Sequence, residues 1–146
     1  MHKSLFSFVI FSLVLFSCDT EKNNKKEVTS DIKQEIKKEY WDNGTLAAEG
    51  FYVDGKANGL MKWFHPNGKL AGEGPMLNDK REGTWKVYES EFGKLSAEGS
   101  FKQGIKHGVW KIFHENGMLW KEQFWENNQL VTNTEWNKNG EIITTK

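Results

Sequence analysis

The sequence predicts an all-β protein, a single elongated, twisted antiparallel meander of about ten strands built from hairpin repeats of 24 residues. Three observations predict it. Gly44, Gly68, Gly93, Gly117 and Gly140 recur at spacings of 24, 25, 24 and 23 residues, each in a similar phrase: DNGTL, PNGKL, FGKL, ENGML and KNGEI. Ten residues past each of the first four lies a second turn pair: Asp54-Gly55, Asn78-Asp79, Gln103-Gly104 and Asn127-Asn128. These residue types tolerate the positive φ of two-residue type I′ turns, so reversals alternate along the chain with strands between them. Thirdly, folding about Asn43-Gly44, Asn67-Gly68 and Asn116-Gly117 brings Lys38 to Glu49, Lys62 to Glu73 and Lys111 to Glu122. A three-residue loop at Gly93 adds Lys86 with Glu98. Four opposite-charge pairs emerge from a register chosen by turns alone, each contributing roughly 0.2–1 kcal/mol.

Composition sets the frame. The chain has 146 residues, 20 basic and 20 acidic, with one Cys. A balanced charge offers no basic field for nucleic acid. A lone Cys excludes a disulfide framework and a Cys-rich metal site. Apolar residues reach 37% while aromatics alone reach 14%, so the core is thin and aromatic.

In chain order, Lys3 opens a positive n-region and Leu5 to Phe16 is an uncharged run too short to span a bilayer, as in a signal-peptide h-region. Leu15-Phe16-Ser17-Cys18 then resembles a bacterial lipobox. That resemblance implies a lipoprotein signal peptide over residues 1–17 and lipidation of Cys18, placing the protein at the bacterial cell envelope, membrane-anchored and facing the periplasm or the exterior. Residues 18–36 follow as the lipidated Cys and a polar tether free of aromatics, reaching about 25 Å at coil dimensions. Residues 37–146 form the repeat domain.

Hairpin registers about the second turn set define two unlike faces. The first hairpin is expected to place Leu46 with Trp63, Ala48 with Met61 and Gly50 with Gly59. The second places Leu70 with Val87, Gly72 with Trp85 and Gly74 with Gly83. The third places Leu95 with Ile112, Ala97 with Trp110 and Gly99 with Gly108. One face therefore carries small residues against large apolar ones. Tyr52, Trp63, Trp85, Phe101, Trp110 and Trp125 lie on or beside it and are the candidate binding face. The opposite face carries the ladder of Lys38, Glu49, Lys62, Glu73, Lys86, Glu98, Lys111 and Glu122, with Trp120 expected across from Phe113. In the terminal repeat, Thr134 and Glu135 take the places of Trp110 and Lys111. Pro75 marks an irregularity within a strand.

The unit N-G-x-L-x-x-E-G-x-(F/Y)-x-x-G-x-x-x-G-x-W-K-x-(F/Y) resembles the MORN-repeat-variant family. The third repeat carries it in Gly93, Leu95, Glu98, Gly99, Phe101, Gly104, Gly108, Trp110, Lys111 and Phe113. That family includes proteins classed as YwqK-type antitoxins. The resemblance implies a sheet used as an interaction surface, with no catalytic residue to carry over. An export signal moves any antitoxin role outside the cytoplasm.

No phosphate loop, nucleophile elbow or paired-His zinc motif is present. His65 and His114 hold equivalent places two repeats apart, about 19 Å by strand spacing, too far to share a metal. The reading is therefore of a non-enzymatic module with no cofactor, membrane-anchored, binding an unidentified protein and no nucleic acid, with interception of a toxin as its sharper version. Two alternatives stand beside it. One is glycan or cell-wall binding through exposed Trp rings; the other is a passive envelope spacer.

Overall fold

The computed structural model describes residues 32–145. The expected signal segment 1–17, Cys18 and the tether up to residue 31 lie outside the described residues. The strands are β1 (Gln34–Tyr40), β2 (Leu46–Val53), β3 (Lys56–Phe64), β4 (Leu70–Leu77), β5 (Lys80–Arg81), β6 (Gly83–Tyr88), β7 (Leu95–Lys102), β8 (Ile105–Phe113), β9 (Leu119–Glu126), β10 (Gln129–Trp136) and β11 (Ile142–Thr145). They form one open antiparallel sheet in meander order, with β5 a short piece paired to β4. There is no helix among the described residues. Strand pairing begins at Gln34, ahead of the boundary expected at Lys37.

The two turn sets differ in build. The second set is type I′, with φ of 49° and 80° at Asp54-Gly55 and 47° and 63° at Asn127-Asn128. The Asn-Gly reversals are not two-residue turns. His65 N–H donates to Lys69 O and Gly68 N–H to His65 O, both at 2.8 Å. This is a three-residue loop closed by a left-handed glycine (Gly68, φ 83°). The same pattern recurs at Trp41–Thr45, His114–Met118 and Asn137–Glu141. The loop around Gly93 is longer: Glu89 N–H donates to Lys94 O at 3.0 Å. The Lys–Glu registers survive because a one-residue bulge next to each of these loops restores the offset. Tyr40 pairs with Leu46 but Glu39 with Ala48, for example.

The hairpins about the second turn set contain a two-residue jump that corrects the expected partners. Val53 pairs with Lys56 and Tyr52 with Ala57, but then Gly50 pairs with Met61 and Ala48 with Trp63. Likewise Phe101 pairs with Lys106, but Gly99 pairs with Trp110 and Ala97 with Ile112. Gly72 pairs with Val87. Glycines expected to face each other therefore do not. Gly59, Gly83 and Gly108 instead occupy the jumps with φ of 131°, 65° and 72°, where a side chain would be strained. An even shift keeps every residue on its face, so the division into two faces holds although the partners change.

Side chains staple consecutive repeats together. Asn67 Oδ1 accepts from Lys69 N–H at 3.1 Å, fixing its own loop, while Asn67 Nδ2 donates to Ser90 O at 2.7 Å in the next one. Asn43 does the same with Pro66 O and Asn116 with Lys138 O. Trp41 Nε1 donates to Phe64 O, and the Nε2 atoms of His65 and His114 meet the carbonyls of Tyr88 and Trp136. Lys69 Nζ reaches Glu91 O and Lys94 Nζ reaches Glu115 O. The Asn67→Ala variant is expected to lose about 1 kcal/mol, two neutral hydrogen bonds at exposed sites, read as a lower urea midpoint with unchanged slope.

Glu89 performs the loop-fixing role of the asparagines in the third repeat. Its carboxylate accepts from the N–H groups of Glu91, Phe92 and Lys94 at 2.6–3.0 Å. The backbone donor of Lys94, with those of Phe92 and Glu91, holds its carboxyl below the ordinary range. A depressed carboxyl stabilises the loop above its unfolded-state value and loses that effect as pH falls through the folded value. Amide exchange at Phe92 and Lys94 is therefore expected to accelerate, relative to the Asn67 loop, as pH drops through the acidic range, and Glu89→Gln is expected to remove most of that pH dependence.

Candidate functional site

The aromatic face is built by the corrected register. Each repeat sets a glycine opposite a large side chain: Gly50 against Met61, Gly74 beneath Trp85 and Gly99 against Trp110. A Cβ at Gly74 or Gly99 would lie closer to atoms of the facing indole than van der Waals contact allows. The rings can thus lie flat across the neighbouring strand. Trp85 stacks on Trp63 with centroids 4.6 Å apart, and Phe101 meets Trp85 and Trp110 edge-on at 6.4 and 5.1 Å. Beside each jump the indole N–H reaches a backbone carbonyl of the facing strand, and Pro75 O accepts from Glu82 N–H as well. Trp85 Nε1 donates to Pro75 O at 2.9 Å, and Trp110 Nε1 donates to Ser100 O at 3.0 Å. Pro75, expected to mark an irregularity, supplies this acceptor.

Six residues were expected to form a binding face. Trp85, Phe101 and Trp110 are 1%, 8% and 5% exposed and form the core with Ala57 and Met61. Tyr52, Trp63 and Trp125 are partly buried and pack around it. The face is therefore packed upon itself, as a thin sheet lacking a covering layer requires. Three cations cover it further. Lys37 lies over Tyr52 at 4.5 Å, and Arg81 lies over Phe101 at 4.7 Å and over Trp63 and Trp85 at 5.4 and 5.6 Å. Lys106 lies between Trp110 and Trp125 at 4.4 and 4.6 Å. Burial, and then the neighbouring Arg81 charge, lowers the Lys106 ammonium from its ordinary value. The sequence did not single out these cations: the turn-centred register already sets Lys106 opposite Phe101, but it does not show that the side chain lies over the neighbouring rings.

At the C-terminal end the same face becomes polar. The β9–β10 jump is one residue instead of two, so Asn133, and not Thr134, takes the place of Trp110, and Thr134 follows Lys111. Gln123 stands where the other repeats have glycine. A chain of hydrogen bonds runs from Trp125 Nε1 to Gln123, from Gln123 to Asn133 and from Asn133 to Glu135, with Lys121 at 3.0 Å from the Glu135 carboxylate. Buried Asn133, 8% exposed, has its amide engaged on both sides.

On the opposite face all four expected Lys–Glu pairs stand in register. The corrected hairpins add Glu49 with Lys62, Glu73 with Lys86 and Glu98 with Lys111. The pairs therefore join into one unbroken row: Lys38, Glu49, Lys62, Glu73, Lys86, Glu98, Lys111, Glu122. Lys38 Nζ comes within 3.9 Å of Glu49 Oε2. Among the described residues the other members stand as neighbours without an ion pair inside 4.0 Å. Glu73 accepts from the Tyr88 hydroxyl at 3.0 Å. Burial and this carboxylate raise the Tyr88 hydroxyl above its usual value. Trp120 does not face Phe113, which pairs with Leu119; the bulge turns Trp120 onto His114, with ring centroids 5.6 Å apart.

Among the described residues no group of three His, Cys, Asp or Glu side chains is placed to hold a metal ion. No helix of the described residues is long and apolar enough to cross a membrane. Fold and faces together define a β-repeat sheet protein, in which paired reversals and stapled loops repeat a single hairpin unit. Residues 36–54, 57–78 and 106–127 match the family described as MORN repeat variant, which is the family the repeat motif resembles. No curated protein matches the chain.

Proposed function

We propose that the chain is a lipid-anchored, non-enzymatic interaction module that presents a stiff β-repeat sheet to a protein at the bacterial cell envelope, with toxin interception as its sharper form. The observation that carries the reading is how completely the reactive side chains serve the sheet. The glutamates of the ladder alternate with lysines, the histidines at positions 65 and 114 bond to backbone of the next repeat, and the indoles of Trp85 and Trp110 are spent on backbone carbonyls. MORN repeats commonly serve protein and membrane interactions, which favours the same class.

Self-packing of the aromatic face bears on the alternatives. Sugar stacking needs an open indole face, and Trp85 and Trp110 offer none; half-buried Trp63 and Trp125 remain. The glycan reading is therefore the weaker one. A passive spacer predicts no partner.

The test is crosslinking and affinity purification of the full chain from membranes, beside a Cys18→Ser variant. A specific protein recovered with the wild type, together with release of the variant from the membrane fraction, is the expected result. An unchanged membrane fraction for Cys18→Ser removes the anchor, and a purification empty of any specific protein removes the interaction. A deletion strain with unaltered sensitivity to the toxins of neighbouring cells removes the sharper form.

A further inference from the structure

The charged row has a property that a repeat need not have. Its eight members alternate strictly from Lys38 to Glu122. An even, alternating row read backwards is its own complement. Beside it on the same face runs a second row, two residues along each strand: Ile36 pairs with Phe51, Leu60 with Pro75, Thr84 with Ser100 and Val109 with Phe124. This row is apolar from Ile36 to Pro75 and again at Val109 and Phe124, with Thr84 and Ser100 between. Ile36, Leu60, Val109 and Phe124 are 69%, 53%, 47% and 40% exposed, unlike the aromatic core of the other face. Two shallow grooves flank it, one of about 230 Å³ beside Ile36, Phe51 and Leu60, and one of about 400 Å³ beside Ser100 and Val109.

We propose that this face docks against the same face of a second copy of this chain, about a two-fold axis that runs parallel to the strands and passes between β4 and β6. Such an axis reverses the order of strands while keeping each row opposite itself. Lys38 then faces the partner's Glu122, Glu49 the partner's Lys111, Lys62 the partner's Glu98 and Glu73 the partner's Lys86. In the second row, Ile36 faces the partner's Phe124 and Phe51 the partner's Val109. Leu60 and Pro75 face the partner's Ser100 and the partner's Thr84, so one operation matches the whole charged row and the outer two contacts of the second row, and each contact occurs twice as in an isologous interface. A two-fold axis along the rows would set every lysine on its own copy, which like-charge repulsion disfavours. Burying ions costs desolvation, so the apolar row supplies the attraction while the charged row selects orientation and register. The axis passes between the strands of Glu73 and Lys86, so these two contacts lie nearest to it.

The central pair allows a test by charge exchange. Two differently tagged copies of the full chain are co-expressed, solubilised in excess detergent and purified through one tag. Wild type is expected to carry wild type. Glu73→Lys with itself, and Lys86→Glu with itself, each place like charges across the axis twice and are expected to lose co-purification by more than about tenfold. Glu73→Lys with Lys86→Glu restores opposite charges at both contacts and is expected to recover most of the wild-type yield. Recovery requires both variants to be folded, although each disturbs its own sheet. Wild-type copies that fail to carry each other overturn the proposal, whether or not a different protein is captured. Loss in both single variants without recovery in the mixture overturns it as well, as does equal yield in all four pairings. None of these outcomes bears on membrane anchoring or on recovery of another partner.

Discussion

Trp85→Ala is expected to unfold the sheet more readily than any other single truncation, by about 3–5 kcal/mol. Trp85 is 1% exposed. Its ring lies on Trp63, meets Phe101 and shields Gly74, and its indole N–H holds the Pro75 carbonyl. Alanine would leave a cavity at the centre of a sheet that, among the described residues, has no second sheet to collapse upon it. Equilibrium urea unfolding, monitored by far-ultraviolet circular dichroism, checks the value. Trp85→Phe separates two parts of the loss: it keeps most of the ring area but abandons the Pro75 carbonyl, and about 1–2 kcal/mol of the deficit is expected to remain. Trp63→Ala, at the half-buried edge of the same stack, is expected to cost clearly less than Trp85→Ala. Equal losses at the two positions would contradict a core centred on Trp85.

Gly99→Ala is expected to be nearly as damaging although it adds a single methyl group. Its new Cβ would overlap the Trp110 indole near the root of the ring, where rotation about the side-chain bonds gives little relief. Trp110 would have to leave the sheet or the β7–β8 strands would have to part. Overpacking of this kind costs roughly 1–3 kcal/mol, with the upper end expected here because Trp110 also holds Ser100 O and contacts Phe101. The diagnostic companion is the pair Gly99→Ala with Trp110→Leu. A smaller residue opposite the methyl is expected to recover part of the loss caused by Gly99→Ala, measured against Trp110→Leu alone. A double variant with purely additive losses would show that the glycine is needed for something other than room for the indole.

Much of this was legible from residue order. Two families of reversals at alternate spacings define a meander, because residues such as Asn67-Gly68 and Asp54-Gly55 favour local geometries that need no distant partner. The ladder pairs Lys62–Glu73 and Lys86–Glu98 were legible for a similar reason: they depend on the sum of loop offset and bulge, which the turn-centred count reproduces. What escaped was anything that breaks an unbroken ladder. A glycine at position 59 or 108 can face a partner across the sheet or sit in a left-handed bulge, and nothing local distinguishes the two. The choice is made where Trp110 needs Gly99 beneath it and the Ser100 carbonyl within reach of its indole N–H. Nor does a register show that Lys106, opposite Phe101, lies over the Trp110 and Trp125 rings.

By itself, then, the order of residues determined the strands, their sequence in the sheet and, ahead of the terminal repeat, which side chains share a face, since these follow from turn chemistry and the two-residue period of a strand. Only the tertiary structure decided which residues touch. The two-residue jumps, the self-packed aromatic face beneath its cations and the joining of four Lys–Glu register pairs into one row all depend on neighbours in adjacent repeats. Their cause is that a lone sheet must bury its aromatic rings upon itself, so packing between strands, and not local preference, selects the final register.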